Sequence, residues 1–315
     1  MKITVLDGYG VNPGDVSWEQ IERLGELTVY DRTSSDLVIE RIGNSDAIFL
    51  NKIQINEEIL SHCPNLKYIG VLATGYNVVD VKACAKRKIT VTNIPAYSTN
   101  AVAQHVFAFI LNFTNLVEIH SQSVHSGGWI KNPDFCYWLK PLSELAGKTI
   151  GIFGFGNIGK KVAEIAHAFG MNVIVKTHGN KPAENEKTVS KEELFSLSDY
   201  LTLHAPLTNE TANLVNKETL SLMKKSAILI NTARGGLVDE AALRETLDNE
   251  KISGYAADVL VNEPMSSDCP LYNAPSCVIT PHMAWAPKET RQRLLKIAAE
   301  NLIAFINGQK LNTVS

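Results

Sequence analysis

The chain has 315 residues, which at roughly 150 residues per domain suggests two domains. Apolar residues make up 45%, charged residues 20% and aromatics 7%, a composition that excludes a disordered tail, a collagen-like fibre and a low-complexity scaffold. Thirty basic against 33 acidic side chains leave a net charge of −3, so nothing points to nucleic acid, and five widely spaced cysteines without C-x-x-C favour neither a disulfide framework nor a metal site.

The opening Met1-Lys2-Ile3-Thr4-Val5-Leu6-Asp7 meets an acidic residue too early for the apolar region of a signal peptide. Ile3–Leu6, Leu27–Tyr30, Ala47–Leu50, Tyr68–Leu72 and Ile89–Thr92 are continuous apolar runs. Such runs suit strands buried on both faces of a parallel sheet. Trp18–Leu24 and Val79–Lys86 read as helices between them, and the βαβα pattern means α/β. Residues 89–117 carry no Lys, Arg, Asp or Glu, yet they hold Asn93, Pro95, Asn100, Gln104, His105, Asn112 and Asn115, which suit lipid poorly. This stretch reads as a strand end, a loop and a buried helix rather than a membrane span. The expectation is a soluble, cytoplasmic protein with no membrane partner.

Ala101, Val102, Val106, Phe109, Ile110, Phe113, Leu116 and Val117 recur at helical spacing, and Gly127-Gly128 stops the pattern. The irregular, aromatic Trp129–Leu145 reads either as a surface loop closing on the core or as a subunit contact. From Lys148 a second series begins, with strands at Thr149–Phe153, Asn172–Thr177, Tyr200–His204, Ala227–Asn231, Tyr255–Val259 and Cys277–Thr280. Six strands with helices between them fit an open, doubly wound sheet. The last helix, Lys288–Ile306, follows all of them and is expected to return to the first domain.

Gly154-Phe155-Gly156-Asn157-Ile158-Gly159 matches G-x-G-x-x-G between a strand and a helix whose stripe is Ile158, Val162, Ile165, Ala166 and Phe169. Gly154 permits the tight turn, Gly156 lets the backbone approach a pyrophosphate, and Gly159 lets the helix pack close. The helix N-terminus offers free N–H groups and a positive dipole end to the anion. Gly154 to Lys160 also reads as the start of a P-loop, but Lys161 stands where Ser or Thr must hold magnesium. The next strand ends Val175-Lys176-Thr177-His178, without the usual carboxylate for the ribose 2′-OH. Lys176 and His178 are either ordinary exposed residues or attractors for a 2′-phosphate, so NAD and NADP both stay open.

Ligands of open α/β sheets sit beyond the carboxyl ends of the strands. There fall His204, then Thr232-Ala233-Arg234-Gly235-Gly236, then Asp258 with Glu263-Pro264, then Pro281-His282. Reduction of a 2-keto acid needs a hydride donor, a proton donor and a cation. His282 can supply the proton, Glu263 can orient its ring, and the planar fork of Arg234 can bind carboxylate and carbonyl oxygen.

These stretches resemble the D-isomer-specific 2-hydroxyacid dehydrogenase family. The resemblance rests on Gly151–Thr177, His204–Thr208, Lys224–Leu243, Gly254–Pro264 and Pro281–Trp285. Val71–Asn77 and His282-x-Ala284-Trp285 carry a narrower likeness to its glycerate dehydrogenase (hydroxypyruvate reductase) branch. The resemblance implies two Rossmann- or flavodoxin-like domains with parallel sheets flanking a cleft. Residues 1–98 plus 286–315 would form a discontinuous substrate domain, and 99–285 the dinucleotide-binding domain. It implies Arg234, Glu263 and His282 as catalytic residues, with Ala73, Thr74 and Gly75 joining Arg234 and His282 on the substrate. Gly154, Phe155, Gly156, Asn157, Ile158, Thr177, His204, Ala205, Pro206, Thr211, Thr232, Ala233, Arg234, Asp258, His282 and Ala284 would meet the cofactor, Asp258 at the nicotinamide amide. It also implies a homodimer through the helix near Ala101–Val117, with Trp138 reaching a neighbouring site in some relatives. The activity implied is interconversion of a small 2-keto acid and its D-2-hydroxy acid, with hydroxypyruvate first and glyoxylate, phenylpyruvate, a sugar-derived keto acid or D-lactate as alternatives. A non-catalytic, NAD(H)-sensing corepressor-like protein is the other reading. Lys52 either faces the cleft or is a solvated surface lysine.

Overall fold

The five apolar runs of the first 98 residues become strands, and all but one of them are largely buried. They are β1 (Lys2–Val5), β2 (Glu26–Val29), β3 (Ala47–Leu50), β4 (Tyr68–Val71) and β5 (Thr90–Thr92). All pair in parallel, in the order β2-β1-β3-β4-β5, which is flavodoxin-like. Alternate side chains feed two cores: Ile48, Leu50, Ile69 and Val71 on one face, Val5, Ala47, Phe49 and Tyr68 on the other. Helices α1 (Glu19–Glu22), α2 (Val38–Ile42), α3 (Glu57–Ser61) and α4 (Val81–Lys86) connect them. Asn56 and Asp80 cap α3 and α4 by accepting from Ile59 N and Ala83 N. The strand β2 departs from the expectation of burial on both faces. It lies at the sheet edge, and Glu26, Thr28 and Val29 are exposed. Helices α2 and α3 have five residues each, too short for a periodic signal.

This computed structural model describes residues 1–178, 183 and 185–315, and the chain divides into two units: Met1–Ser98 with Trp285–Ser315, and Thr99–Ala284. The second unit opens with α5 (Thr99–Asn115) and α6 (Val117–His125). The periodicity read as one helix is broken at Leu116, which is left-handed at φ +50°. The two helices bend by 52° there. Among the described residues no single helix is long and apolar enough to cross a membrane; α5 and α6 pass that test only together.

Then follow β6 (Thr149–Phe153), α7 (Asn157–Ala168), β7 (Asn172–Lys176), β8 (Lys187–Thr188), α8 (Lys191–Leu197) and β9 (Tyr200–Leu203). After them come α9 (Lys217–Leu222), β10 (Ile228–Asn231), α10 (Glu240–Asp248), β11 (Gly254–Ala257) and β12 (Cys277–Ile279). The parallel sheet has the order β12-β11-β10-β9-β6-β7-β8. It reverses direction between β6 and β9, the Rossmann switch point. The seventh strand, β8, was not expected, because two residues carry no periodicity. Asp258, read as part of a strand, is the first residue past β11, though its N–H still reaches Asn231 O at 3.0 Å.

The last helix, α11 (Lys288–Ile306), packs Leu294, Leu295, Ala298 and Leu302 into the core of the first unit. Buried Arg291 forms a two-pronged ion pair there with Asp15, at 2.6 and 2.7 Å. Trp285, expected to close the second unit, belongs to the first because its ring packs edge-on against Tyr97. The C-terminal tail follows, with Val314 N donating to Val91 O at 2.8 Å.

Candidate active site

The strand β6 runs into a turn that demands glycine. Gly154 has φ +94°, and a Cβ on it would lie 2.7 Å from His204 backbone atoms and from Ala205 N. A Cβ on Gly159 would collide with Gly154 O, so the first turn of α7 sits tight against the loop. Gly156 differs: no protein atom lies within 4 Å of where its Cβ would be. Its bare backbone borders a cavity of about 1200 Å³, larger than most small-molecule pockets. Among expected cofactor residues, Gly154, Phe155, Gly156, Thr177, His204, Ala205, Pro206 and Thr211 line that cavity. Asn157 and Ile158 instead open α7, whose first N–H groups have no partner within the helix. Lys160, Thr208, Asn209 and Glu210 also line the cavity and were not anticipated. Only the place of Lys160 in the first turn of α7 could have signalled it.

Burial pushes the His204 imidazole down to about 3, so the ring is neutral at ordinary pH. Its Nε2 lies 3.0 Å from Thr202 Oγ1. Thr211 Oγ1 accepts from Thr208 N at 2.8 Å and donates to Pro206 O at 2.7 Å, which folds the 206–211 rim. Past β10, Thr232 Oγ1 is buried without a hydrogen-bond partner among the described residues. Buried hydroxyls are rarely left so. The bared Gly156 backbone, the free helix N–H groups and this orphaned hydroxyl fit a dinucleotide.

A second cluster follows β10 and β11. Buried Asn231 accepts from Ala233 N at 3.0 Å and donates to Arg234 O at 2.8 Å, and so shapes the turn that carries Arg234. This positioning role was not foreseen, although Asn231 directly precedes the motif. Arg234 is exposed, and its Nη1 donates to Ala233 O at 2.6 Å. It forms no ion pair among the described residues. A Cβ on Gly235 would run into the Leu260 backbone, so the Arg234 turn and the 258–263 loop are packed backbone to backbone.

On that loop Glu263 accepts from Leu260 N at 3.0 Å with one oxygen. Its other oxygen meets His282 Nδ1 at 2.6 Å. Both side chains are about one-third exposed. His282 is left-handed, with φ +52°, a strained conformation for a non-glycine residue. Its loop is anchored by Asp258, which is 2% exposed. One oxygen of Asp258 accepts from Thr280 Oγ1 at 2.6 Å and Met283 N at 2.8 Å, and the other from Ala284 N at 2.8 Å. Both oxygens of Asp258, expected at a nicotinamide amide, accept from the 280–284 loop, the N–H of Ala284 among the donors.

In the first unit, Ala73–Gly75 follow β4. Asn93 Nδ2 donates to Thr74 O at 2.7 Å, Thr74 Oγ1 donates to Ile94 O at 2.8 Å, and Ile94 N donates to Ala73 O at 3.0 Å. Lys52 follows β3, and its N–H donates to Asp7 at 2.7 Å.

Residues 107–284 match the profile described as D-isomer specific 2-hydroxyacid dehydrogenase, NAD binding domain. The chain is 46% identical over 321 aligned positions to a hydroxypyruvate reductase of Blautia hydrogenotrophica, covering all of both chains. It is 39% identical to a glycerate dehydrogenase of Methylorubrum extorquens, over 92% of each. Among solved structures it is similar to an NADPH-dependent glyoxylate/hydroxypyruvate reductase of Sinorhizobium meliloti, with 29% identity, TM-score 0.84, and coverage of 100% of this chain and 97% of that one.

Proposed function

Because the chain belongs to the D-isomer specific 2-hydroxyacid dehydrogenases, oxidoreductases that use a nicotinamide dinucleotide, we propose that it reduces hydroxypyruvate to D-glycerate. The observation that carries this reading is the 2.6 Å pair of Glu263 and His282, set beyond a sheet whose glycine turn bares its backbone to a cavity. The first unit is proposed as the substrate domain and the second as the dinucleotide-binding domain.

When bound, the reduced nicotinamide supplies the hydride to C2 of the keto acid. His282 gives a proton to the carbonyl oxygen from Nε2, since Nδ1 is engaged by Glu263. Glu263 fixes the ring orientation and tautomer, as a carboxylate behind a catalytic histidine does. Arg234, free of any carboxylate partner among the described residues, stabilises charge developing on the carbonyl oxygen. Backbone N–H groups at Thr74 and Gly75 bind the substrate carboxylate. In the oxidative direction His282 takes the proton from the hydroxyl.

Among the described residues, Lys176, His178 and Lys160 line the cavity together with one carboxylate, Glu210. With no acidic residue closing β7, we propose that NADPH is accepted beside NADH. A homodimer is proposed as well, because Val117, Ile130, Phe135 and Trp138 are 71%, 89%, 88% and 65% exposed. This exposure favours the subunit contact over a loop closed on the core.

The test is oxidation of NADH and of NADPH with hydroxypyruvate, beside glyoxylate, pyruvate and phenylpyruvate. Fastest turnover with hydroxypyruvate is expected. Tight cofactor binding without turnover on any keto acid would overturn the enzyme reading and favour the sensor.

A further inference from the structure

His105 lies on α5, far in sequence from every residue given a role above. Its Nε2 is 3.0 Å from Thr280 Oγ1 and 3.8 Å from Asp258 Oδ1. Its ring packs edge-on against Phe109 with centroids 4.5 Å apart. The direction of each bond follows from counting protons. Thr280 has one hydroxyl proton, and it goes to Asp258, a carboxylate that can only accept. The Thr280 oxygen must therefore accept from His105, which carries its proton on Nε2. The chain runs His105 Nε2–H to Thr280 Oγ1–H to Asp258. The same carboxylate receives Met283 N–H and Ala284 N–H. His282 sits between these anchors in its left-handed conformation.

We propose that His105 is a positioning residue for the reaction, acting through Thr280 and Asp258 on the loop that presents His282. The proposal rests on the reading of His282 as the proton donor. Without the Nε2 donor, the Thr280 hydroxyl is free to turn, and Asp258 loses the neighbour that holds its nearest partner. The strained His282 then has fewer constraints on its position. Burial lowers the His105 pKa, with Asp258 opposing, which agrees with a neutral ring donating from Nε2. No proton moves along this chain during turnover; it fixes geometry.

The test compares His105→Phe, which keeps an aromatic ring against Phe109 but has no donor, with His105→Gln, whose amide nitrogen reaches the place of Nε2. His105→Phe is expected to lower kcat about tenfold or more, toward the roughly 10²-fold that a misplacement of about 1 Å costs. KM for the keto acid and the dinucleotide Kd stay within about twofold, since uniform binding is untouched. His105→Gln restores most of kcat. Thr280→Val behaves like His105→Phe, Thr280→Ser like the wild type, and the double variant His105→Phe/Thr280→Val is no slower than Thr280→Val alone. Wild-type kcat in His105→Phe, a Gln variant no better than Phe, or additive losses would overturn the proposal. If His105→Phe fails to fold, Thr280→Val with wild-type kcat overturns it equally. His282→Ala in the same assay separates the two claims. Retained turnover there sinks the reading of His282, whereas lost turnover beside an unaffected His105→Phe sinks only the role of His105.

Discussion

Replacing Glu263 by glutamine tests the proposed acid–base pair with the least change in shape. One Glu263 oxygen accepts from Leu260 N at 3.0 Å, and the other meets His282 Nδ1 at 2.6 Å. A glutamine must still offer an acceptor to Leu260 N–H, because two donors cannot face each other. Its NH₂ is then turned toward His282 Nδ1, which must accept. The neutral ring is forced to carry its proton on Nε2, the wrong tautomer for a base and a weak acid in the reductive direction. Losing the charge-assisted bond costs about 1.5–3 kcal/mol, or about 10- to 160-fold in rate. The wrong tautomer adds to this, toward the roughly 10²–10⁴-fold that general acid–base catalysis supplies. The assay is kcat for hydroxypyruvate reduction, with dinucleotide affinity measured separately by quenching of protein fluorescence. We expect kcat to fall by about 10² or more with the affinity unchanged. A Glu263→Gln enzyme turning over within about twofold of wild type would refute the assigned tautomer and, with it, the orienting role of Glu263.

His282→Ala should lose about 10²–10⁴-fold in kcat, checked in the same assay. The glycines separate structure from binding: Gly154→Ala should lower unfolding free energy by about 1–3 kcal/mol in urea titration, because of its positive φ and the 2.7 Å approach of the 204–205 backbone. Gly156→Ala should melt at the wild-type temperature yet bind dinucleotide at least about tenfold more weakly, because its Cβ meets no protein atom and enters the cavity. Stability should also fall as pH drops below 6.5, because His204 is pushed down to about 3 when folded and His105 is lowered too. The unfolded chain therefore binds more protons in this window, and stability rises with pH through it. Unfolding free energy of His204→Gln against pH should show a shallower acid slope than wild type, and an identical slope would refute the assignment.

Much of this protein is legible locally. Continuous apolar runs specify strands buried on both faces, and with helices between them they specify parallel α/β layers. Gly154 and Gly159 are legible because a positive φ and a close helix contact leave only hydrogen at those positions. The chemistry-bearing residue types beyond β9, β10, β11 and β12 are legible because an open sheet gathers ligands at that edge. What each side chain does there is not local. Nothing in the order of residues says that Asp258 turns both oxygens to the 280–284 loop, that Glu263 reaches across to Nδ1 of His282, or that His105 returns to Thr280 from 175 positions away. Nor does it say that Asn231 shapes the Arg234 turn, that β2 lies at an edge, or that α5 stops at Leu116. The order of residues specifies the kinds of element and the kinds of chemical group. Tertiary structure alone decided their partners, because hydrogen bonds form wherever packing brings a buried donor to an acceptor, at whatever distance along the chain.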